Sequence, residues 1–158
     1  MKEANLYEEE FKLWVMLEQT SSAVFAAREK DLAQYKTSPM KAAVLYAVQQ
    51  IGKEATPAEI ARWILRKSHT VSGLLDRMEK DGLITRKKNL PKKNLVRVTM
   101  TEKGKKTLKN SMKRESIRKT FAALSKEDRK QLYTQLEKLR AKGLKLSGFP
   151  KPPFPKSL

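Results

Sequence analysis

Apolar residues recur at helical spacing along most of this chain. The first such segment, residues 6–35, contains no internal proline or glycine and predicts one long helix. A second helix is predicted from Pro39 to Gly52, capped by Ser38, because proline in the first helical position loses no hydrogen bond. The helix-start signal SKED and the leucines that follow it predict a last helix over 126–142. The chain is therefore expected to be mostly helical.

Two short amphipathic segments in the middle of the chain predict a helix-turn-helix. Thr56, Pro57 and Glu59 have the spacing of a capping box at the start of a third helix. Ser68 is expected to cap a fourth helix that ends at the Asp-Gly pair 81–82. The apolar positions of this fourth helix fall at i, i+3, i+4 and i+7 and predict one buried face made of Val71, Leu74, Leu75 and Met78.

The periodicity changes to two directly after the fourth helix. Alternating positions predict a β-hairpin over 83–99, with the turn-forming segment NLPKKN at its tip. Either Thr99 or Thr101 is expected to cap a fifth helix over 102–122. The predicted fold class is mostly α with a small β-hairpin, a winged helix-turn-helix with six helices and dimerisation helices at both termini.

The distribution of charge narrows the class of partner. Of the formal net charge of +18, residues 62–119 carry 19 basic and 5 acidic side chains, a net of +14. A basic zone of this density on a folded body indicates a polyanion such as double-stranded DNA. The alternative is a solvated lysine-rich surface, which a scattered excess of lysine would favour.

The fourth helix and the hairpin supply the candidate DNA contacts. Opposite its apolar stripe the helix is polar, and it is small at its N-terminal end, which allows it to enter a major groove. Free N–H groups at that end favour a phosphate, and the basic hairpin tip is expected to reach the backbone or the minor groove. The predicted DNA-binding residues are Ser38, Lys67, Ser68, His69, Thr70, Ser72, Gly73, Arg77, Arg86, Lys87, Lys88, Lys92 and Lys93.

Several of these residues have a second explanation. His69 contacts a base or phosphate, or is simply exposed; as the only histidine in a chain without cysteine it predicts no metal site, and no cofactor is predicted. Arg77 either contacts DNA or pairs with Asp81 one helical turn away. Gly73 costs a helix about 1 kcal/mol relative to alanine, so it reflects either neutral drift or clearance for close approach to DNA.

Two segments resemble the MarR-type transcriptional regulators: TVSGLLDRMEKDGLI, covering the fourth helix and first strand, and VTMTEKG, covering the second strand and the next helix start. The resemblance extends over about residues 6–145. It implies a homodimer built from the first and the last two helices. It also implies that the dimer binds a pseudo-palindromic operator, usually as a repressor. It also implies a cleft for small aromatic or phenolic effectors, which Trp14, Phe25, Tyr46 and Trp63 could line if they are not ordinary core residues.

One departure from the family lies in the wing, the hairpin with its tip. Relatives commonly carry an Asp-x-Arg pair just before the second strand, where this chain has Lys92 and Asn94. This wing is therefore expected to bind backbone electrostatically rather than to place one ordered arginine in the minor groove.

The expected domain organisation has four parts. Residues 1–36 form an N-terminal dimerisation helix, 37–100 the winged helix-turn-helix, 101–146 the C-terminal dimerisation helices and 147–158 a proline-rich tail. The expected function is a homodimeric, sequence-specific transcriptional regulator. The alternative is an architectural or nucleoid protein that binds DNA through charge.

Other classes of protein are disfavoured. The chain has no glycine-rich phosphate loop, no cysteine and no acid pair beside a base, so an enzyme is not expected. No apolar run of about 18 residues occurs, and the basic region is not a Trp- and Leu-faced helix, so no membrane partner is expected. The acidic N-terminus without an apolar signal segment and the lack of cysteine favour the cytoplasm.

Overall fold

A computed structural model describes residues 2–88 and 95–158, with side chains from Glu8 onwards. Its elements are α1 (Lys2–Ala33), α2 (Pro39–Ile51), a 3-10 turn (Gly52–Glu54), α3 (Pro57–Trp63), α4 (Ser68–Lys80), β1 (Ile84–Lys88), β2 (Val96–Met100), α5 (Glu102–Ser111), α6 (Glu115–Phe121) and α7 (Lys126–Ser147). The mostly helical winged helix-turn-helix with a single antiparallel hairpin is confirmed.

Local capping signals placed most helix starts correctly. The Ser38 hydroxyl accepts from the backbone N–H of Lys41 at 3.3 Å, and Ser125 and Asp128 form a complete capping box at the start of α7. Thr101 rather than Thr99 caps α5, accepting from the backbone N–H of Gly104 at 3.0 Å. The caps satisfy N–H groups that have no acceptor inside the helix.

Two predicted caps differ from the structure. Thr56 accepts from the N–H of Glu59 at 3.3 Å, but the described hydrogen bonds include no return bond from the Glu59 carboxylate, so the box is half formed. Ser68 is the first residue of α4, and Lys67 occupies the cap without a side-chain hydrogen bond. The first N–H groups of α4 are consequently left without a side-chain acceptor.

The single helix predicted over 102–122 is divided into α5 and α6. Arg28 of α1 donates through Nη2 to the carbonyl of Ser111 at 2.5 Å, and Arg114 adopts a left-handed φ of +51°. Asp31 then accepts from the Ser116 hydroxyl at 2.9 Å. Burial raises the pKa of Asp31, but hydrogen bonds from Ser116 and Arg28 outweigh it and leave that pKa below its usual value. A continuous helix would draw the Ser111 carbonyl and Ser116 into its own hydrogen-bond pattern and remove these contacts with α1. The interruption between α5 and α6 preserves them.

The core lies between α2, α3, α4 and the hairpin. Leu45, Ile60, Leu75 and Met78 are fully buried there. The other two members of the predicted α4 stripe, Val71 and Leu74, are also buried. Ile64 and Leu65 follow the end of α3 and are half-buried. The core therefore fixes α4 by its apolar face and leaves the opposite face available.

The hairpin base is held by a close approach of α5 to the start of β1. The strands pair in register from Ile84 opposite Met100 to Lys88 opposite Val96. The Thr101 hydroxyl donates to the carbonyl of Gly82 at 2.6 Å, and a Cβ added to Gly104 would lie 2.1 Å from the carbonyl oxygen of Leu83. Only glycine at position 104 permits this contact.

Candidate nucleic-acid interface

Helix α4 separates a buried apolar face from an exposed polar face. Val71, Leu75 and Met78 have no exposed surface. The first turn of the opposite face consists of exposed side chains, most of them small, and contains no acidic residue. The exposed candidates on or beside this helix are Lys67, Ser68, His69, Thr70, Ser72 and Arg77. The geometry brings these predicted residues together on one surface.

The N-terminus of α4 is suited to a phosphate. Its cap residue provides no side-chain acceptor, so the first N–H groups of the helix remain available to an anion. The positive end of the helix dipole lies at the same place. The exposed Lys67 adds a cation at the same end. Phosphate groups commonly bind at such helix starts.

Gly73 lies on α4 with open space beside it. A Cβ built on this residue meets no heavy atom within 4 Å in the part of the chain that the structure describes. Packing within the chain therefore does not require glycine here, in contrast to Gly104.

The alternative partner of Arg77 is engaged elsewhere. Asp81 accepts from Lys41 Nζ at 2.7 Å, and this hydrogen bond and the lysine charge lower the pKa of that carboxyl. Within the described residues, no carboxylate lies within ion-pair distance of Arg77. The Arg77 guanidinium is exposed on α4.

Arg86 joins β1 to α4. Its Nη2 lies 2.6 Å from Asp76 Oδ1 and 2.8 Å from Glu79 Oε2, and its backbone N–H donates to Glu79 Oε1 at 2.9 Å. These hydrogen bonds lower the pKa of Glu79 and raise that of Arg86. Arg86, a predicted DNA contact, is thus already held by two carboxylates, and these contacts fix β1 relative to α4.

The remaining candidates fall into three groups. Lys87 and Lys88 are exposed at the end of β1, pointing to alternate faces of the hairpin. Ser38 is half-buried and caps α2. Lys92 and Lys93, with the rest of the predicted tip, lie outside the described residues.

The contacts missed at the sequence level are ion pairs between elements. The Arg86 clamp joins residues on either side of the 81–82 turn, and Lys41 reaches Asp81 from α2. The only sequence signal was acidic residues on the polar face of α4 followed by a basic strand, which leaves the pairing unspecified.

The four aromatic residues considered for a cleft do not form one group. Trp14 and Phe25 are 58% and 40% exposed on α1. Tyr46 and Trp63 are half-buried beside the core, with ring centroids 6.2 Å apart in an edge-to-face arrangement. The second pair is the candidate aromatic site.

Comparison with known proteins identifies the family. The family profile described as MarR family matches residues 35–93. The HTH-type transcriptional regulator BilQ of Clostridium symbiosum is 31% identical over 100 residues, which span 61% of this chain and 69% of that protein. This chain belongs to the MarR family.

Solved structures agree with this assignment. The ligand-free organohalide-sensing transcriptional regulator RdhR-CbdbA1625 matches with a TM-score of 0.85 and 32% identity, covering 92% of this chain and 89% of that one. An E. coli MarR variant bound to operator DNA has the same fold, with a TM-score of 0.78 at 18% identity over 85% and 97% of the two chains. The family and fold are those of transcriptional regulators that bind DNA, not those of enzymes.

The described residues contain neither a candidate membrane span nor a candidate metal cluster. No helix there is both long and apolar enough to cross a membrane. No group of three or more histidine, aspartate or glutamate side chains in the same ranges is arranged to hold a metal ion.

Proposed function

We propose that this MarR-family protein is a homodimeric repressor acting on a pseudo-palindromic operator in the cytoplasm. Helix α4 enters the major groove, and the wing over residues 86–94 lies on the backbone or in the minor groove. A small aromatic or phenolic effector binds the dimer and releases it from the operator.

The observation that carries the proposal is the two-faced character of α4. Its apolar residues are buried, while its exposed N-terminal turn combines Ser68, His69 and Thr70 with free N–H groups. A small polar helix end with these properties can approach base edges while its dipole attracts a phosphate. We assign base contacts to this turn and to Ser72, and phosphate contacts to Ser38 and Lys67.

The wing contributes charge. Arg86 is held by Asp76 and Glu79 and so orients the hairpin on α4, while Lys87 and Lys88 are exposed at the end of β1. The tip lysines, Lys92 and Lys93, are assigned to the DNA backbone on the basis of their charge alone.

The wing assignment is tested by replacing both tip lysines with alanine. Each lost phosphate contact reduces the slope of log affinity against log salt concentration by about 0.9. The affinities for operator and for random DNA should therefore fall by similar factors. A double alanine replacement of the exposed Lys151 and Lys156, which lie outside the segments assigned to DNA binding and to the dimer, removes the same two charges and controls for net charge. A selective loss of operator affinity over random DNA would instead indicate sequence reading by the tip.

Dimerisation explains the apolar surface at the two ends of the chain. Within the described residues, α1 exposes large apolar side chains including Phe11 at 65% and Trp14 at 58%, and α7 exposes Leu139 at 59% and Leu146 at 76%. Apolar surface of this extent is characteristic of an interface rather than of a free monomer. We assign residues 1–36 and 101–146 to the dimer and 37–100 to DNA binding.

Sedimentation at micromolar concentration tests this assignment. The protein should sediment as a dimer, and Trp14→Glu should shift it towards monomer because a charge would be buried in the interface. Lys53→Glu, on the exposed 3-10 turn, is the matched control and should leave the dimer unchanged. A monomeric native protein would rule out the dimer.

The effector proposal is supported by a relative and by the aromatic pair. The regulator RdhR-CbdbA1625, 32% identical to this chain, has been solved with 2,4-dichlorophenol bound. This chain carries half-buried Tyr46 and Trp63 side by side next to its core. An aromatic pair of this kind is suited to a planar ring.

The architectural alternative is favoured by the net charge of +14 over residues 62–119 and by the absence of the Asp-x-Arg pair. A competition titration separates the two functions. A specific regulator retains its operator in excess random DNA, whereas a charge-driven binder is displaced in proportion to DNA mass.

A further inference from the structure

The C-terminal segment, residues 149–158, returns to α2 and α3 instead of extending from the end of α7. Phe154 stacks on Trp63 with ring centroids 5.7 Å apart and planes inclined by 12°. It also meets the Tyr46 ring edge-to-face at 5.7 Å. The predicted proline-rich tail thus places one aromatic ring on the aromatic pair formed by Tyr46 and Trp63.

The segment connects two parts of the fold. Pro152 is buried, and the carbonyl of Lys151 accepts from Arg62 Nε of α3 at 3.4 Å. A pocket among the segment, Arg62 and the α7 residues Glu137 and Arg140 shows that α7 lies on the other side. The segment therefore contacts α3 and shares a cavity with α7.

This attachment is weak compared with the core. Phe154 remains 46% exposed, although it contacts two rings. The hydrogen bond to Lys151 is long for its type, and the four prolines of the segment have no N–H to donate. The segment can leave its seat without exposing the α2–α4 core, because Phe154 is not part of that buried cluster.

The seat has chemical features that a phenylalanine ring does not use. The Arg114 guanidinium carbon lies 5.5 Å from the centroid of Tyr46, which brings a positive charge to the same aromatic group. A neutral hydrocarbon ring satisfies the stacking surface of Trp63 but gains nothing from that charge. A planar aromatic molecule with a phenolate or another anionic substituent would use both.

We propose that Phe154 is a built-in occupant of an aromatic-ligand site formed by Tyr46 and Trp63. A planar, preferably anionic, aromatic molecule binds there by displacing residues 149–158. Because the tail competes for the site, it raises the ligand concentration that is needed to occupy the site. The inference deepens the proposed function by locating the effector's site and naming its competitor. Its test requires no DNA.

The test uses the full-length protein in a Trp14→Phe background, where Trp63 is the only remaining tryptophan of the two in the chain. In the absence of any ligand, Phe154→Ala should move Trp63 emission to longer wavelength, because the indole face becomes wet. Leu158→Ala is the matched control, since it removes a 75% exposed side chain from the same segment. Unchanged emission in Phe154→Ala would show that the ring is not seated in solution and would overturn the proposal.

The second measurement is the affinity of 2,4-dichlorophenol, followed by Trp63 quenching and by calorimetry. If the segment fills the site for about nine-tenths of the time, Phe154→Ala should lower the apparent Kd by about tenfold. Leu158→Ala should leave the Kd unchanged. Equal Kd values for Phe154→Ala and the intact tail, or no binding to Phe154→Ala at millimolar probe, would each overturn the proposal.

A third variant locates the probe. Trp63→Leu keeps an apolar side chain but removes the stacking face, so calorimetry should show at least a tenfold loss of probe affinity in Phe154→Ala/Trp63→Leu relative to Phe154→Ala. Its circular dichroism and melting temperature show whether the fold is intact, and Tyr46→Leu provides a second position if it is not. Undiminished binding to a folded double variant would place the probe elsewhere and refute the site.

Operator binding is measured separately on the native protein and on Phe154→Ala, both with Trp14 retained because Trp14 is assigned to the dimer. Normal operator binding with no effect of Phe154→Ala on probe affinity would refute this inference and leave the proposed regulator standing. Absence of specific operator binding in every preparation would refute the proposed function, while the probe titrations would still be decisive for the aromatic site.

Discussion

Replacing Gly73 by alanine separates the stability of α4 from its approach to DNA. The added Cβ meets no atom of the described residues (2–88 and 95–158) within 4 Å, so packing among them gives the substitution no steric cost. It should stabilise the fold by about 1 kcal/mol through helix propensity and reduced freedom of the unfolded chain. For a domain of this size that is an increase in melting temperature of about 2–4 °C.

The same methyl group should weaken operator binding. If the polar face of α4 lies in the major groove, the space beside Gly73 is filled by DNA, and an added carbon must push the two surfaces apart. Overpacking of a close contact costs about 1–3 kcal/mol, which corresponds to about a five- to 150-fold loss of affinity. The expected variant is more stable but binds its operator less well.

Gly143→Ala is the matched control. Gly143 is also within a helix, α7, and a Cβ there likewise meets nothing within 4 Å. Thermal denaturation and operator titration at fixed salt should show a similar gain in stability without loss of affinity. If Gly73→Ala binds the operator as well as Gly143→Ala does, Gly73 provides no clearance and the proposed approach of α4 is incorrect.

Two further predictions concern how the hairpin is held. Gly104→Ala should destabilise the fold by about 1–3 kcal/mol in chemical denaturation, because its Cβ would lie 2.1 Å from the carbonyl oxygen of Leu83. If the variant is as stable as the native protein, α5 is free to shift and the close approach is not required. Glu79→Gln should lower the melting temperature at pH 7 by removing the charge that Arg86 contacts. Since Arg86 lowers the pKa of Glu79, this stabilisation is fully present above the ordinary carboxyl value of 4.5 and is lost as the pH falls through the lowered folded value. Melting curves of variant and native protein should therefore converge on acidification below pH 4.5, and a difference that persists at low pH would contradict the assignment.

Features governed by local sequence could be predicted well. The α4 stripe of Val71, Leu74, Leu75 and Met78 is buried because its spacing matches one helical face. Ser38 and Ser125 cap their helices because the acceptor and the N–H groups lie within one turn of each other. Period-two alternation likewise placed both strands, although the predicted tip lies outside the described residues.

Features governed by distant partners could not be predicted. The interruption between α5 and α6 depends on Arg28 and Ser111, which are 83 residues apart, while the local pattern of 102–122 is compatible with one helix. The seat of Phe154 on Trp63 depends on the chain reversing after α7. No periodicity or capping rule specifies contacts of this kind.

The candidate site shows the same division. Exposure of Ser68, His69 and Thr70 follows from burial of the opposite face and could be deduced from spacing. The role of Arg86 could not, because a basic residue at the start of a wing suggests a phosphate contact until its two carboxylate partners are located.

The central claim is that two copies of α4 read a two-fold symmetric operator. Selection of genomic fragments with the full-length protein, followed by hydroxyl-radical footprinting, tests it most directly. The account predicts symmetric protection with half-sites centred about 10–10.5 base pairs, or a multiple of that, apart. Continuous protection with no preferred sequence, or a single asymmetric site, would contradict it.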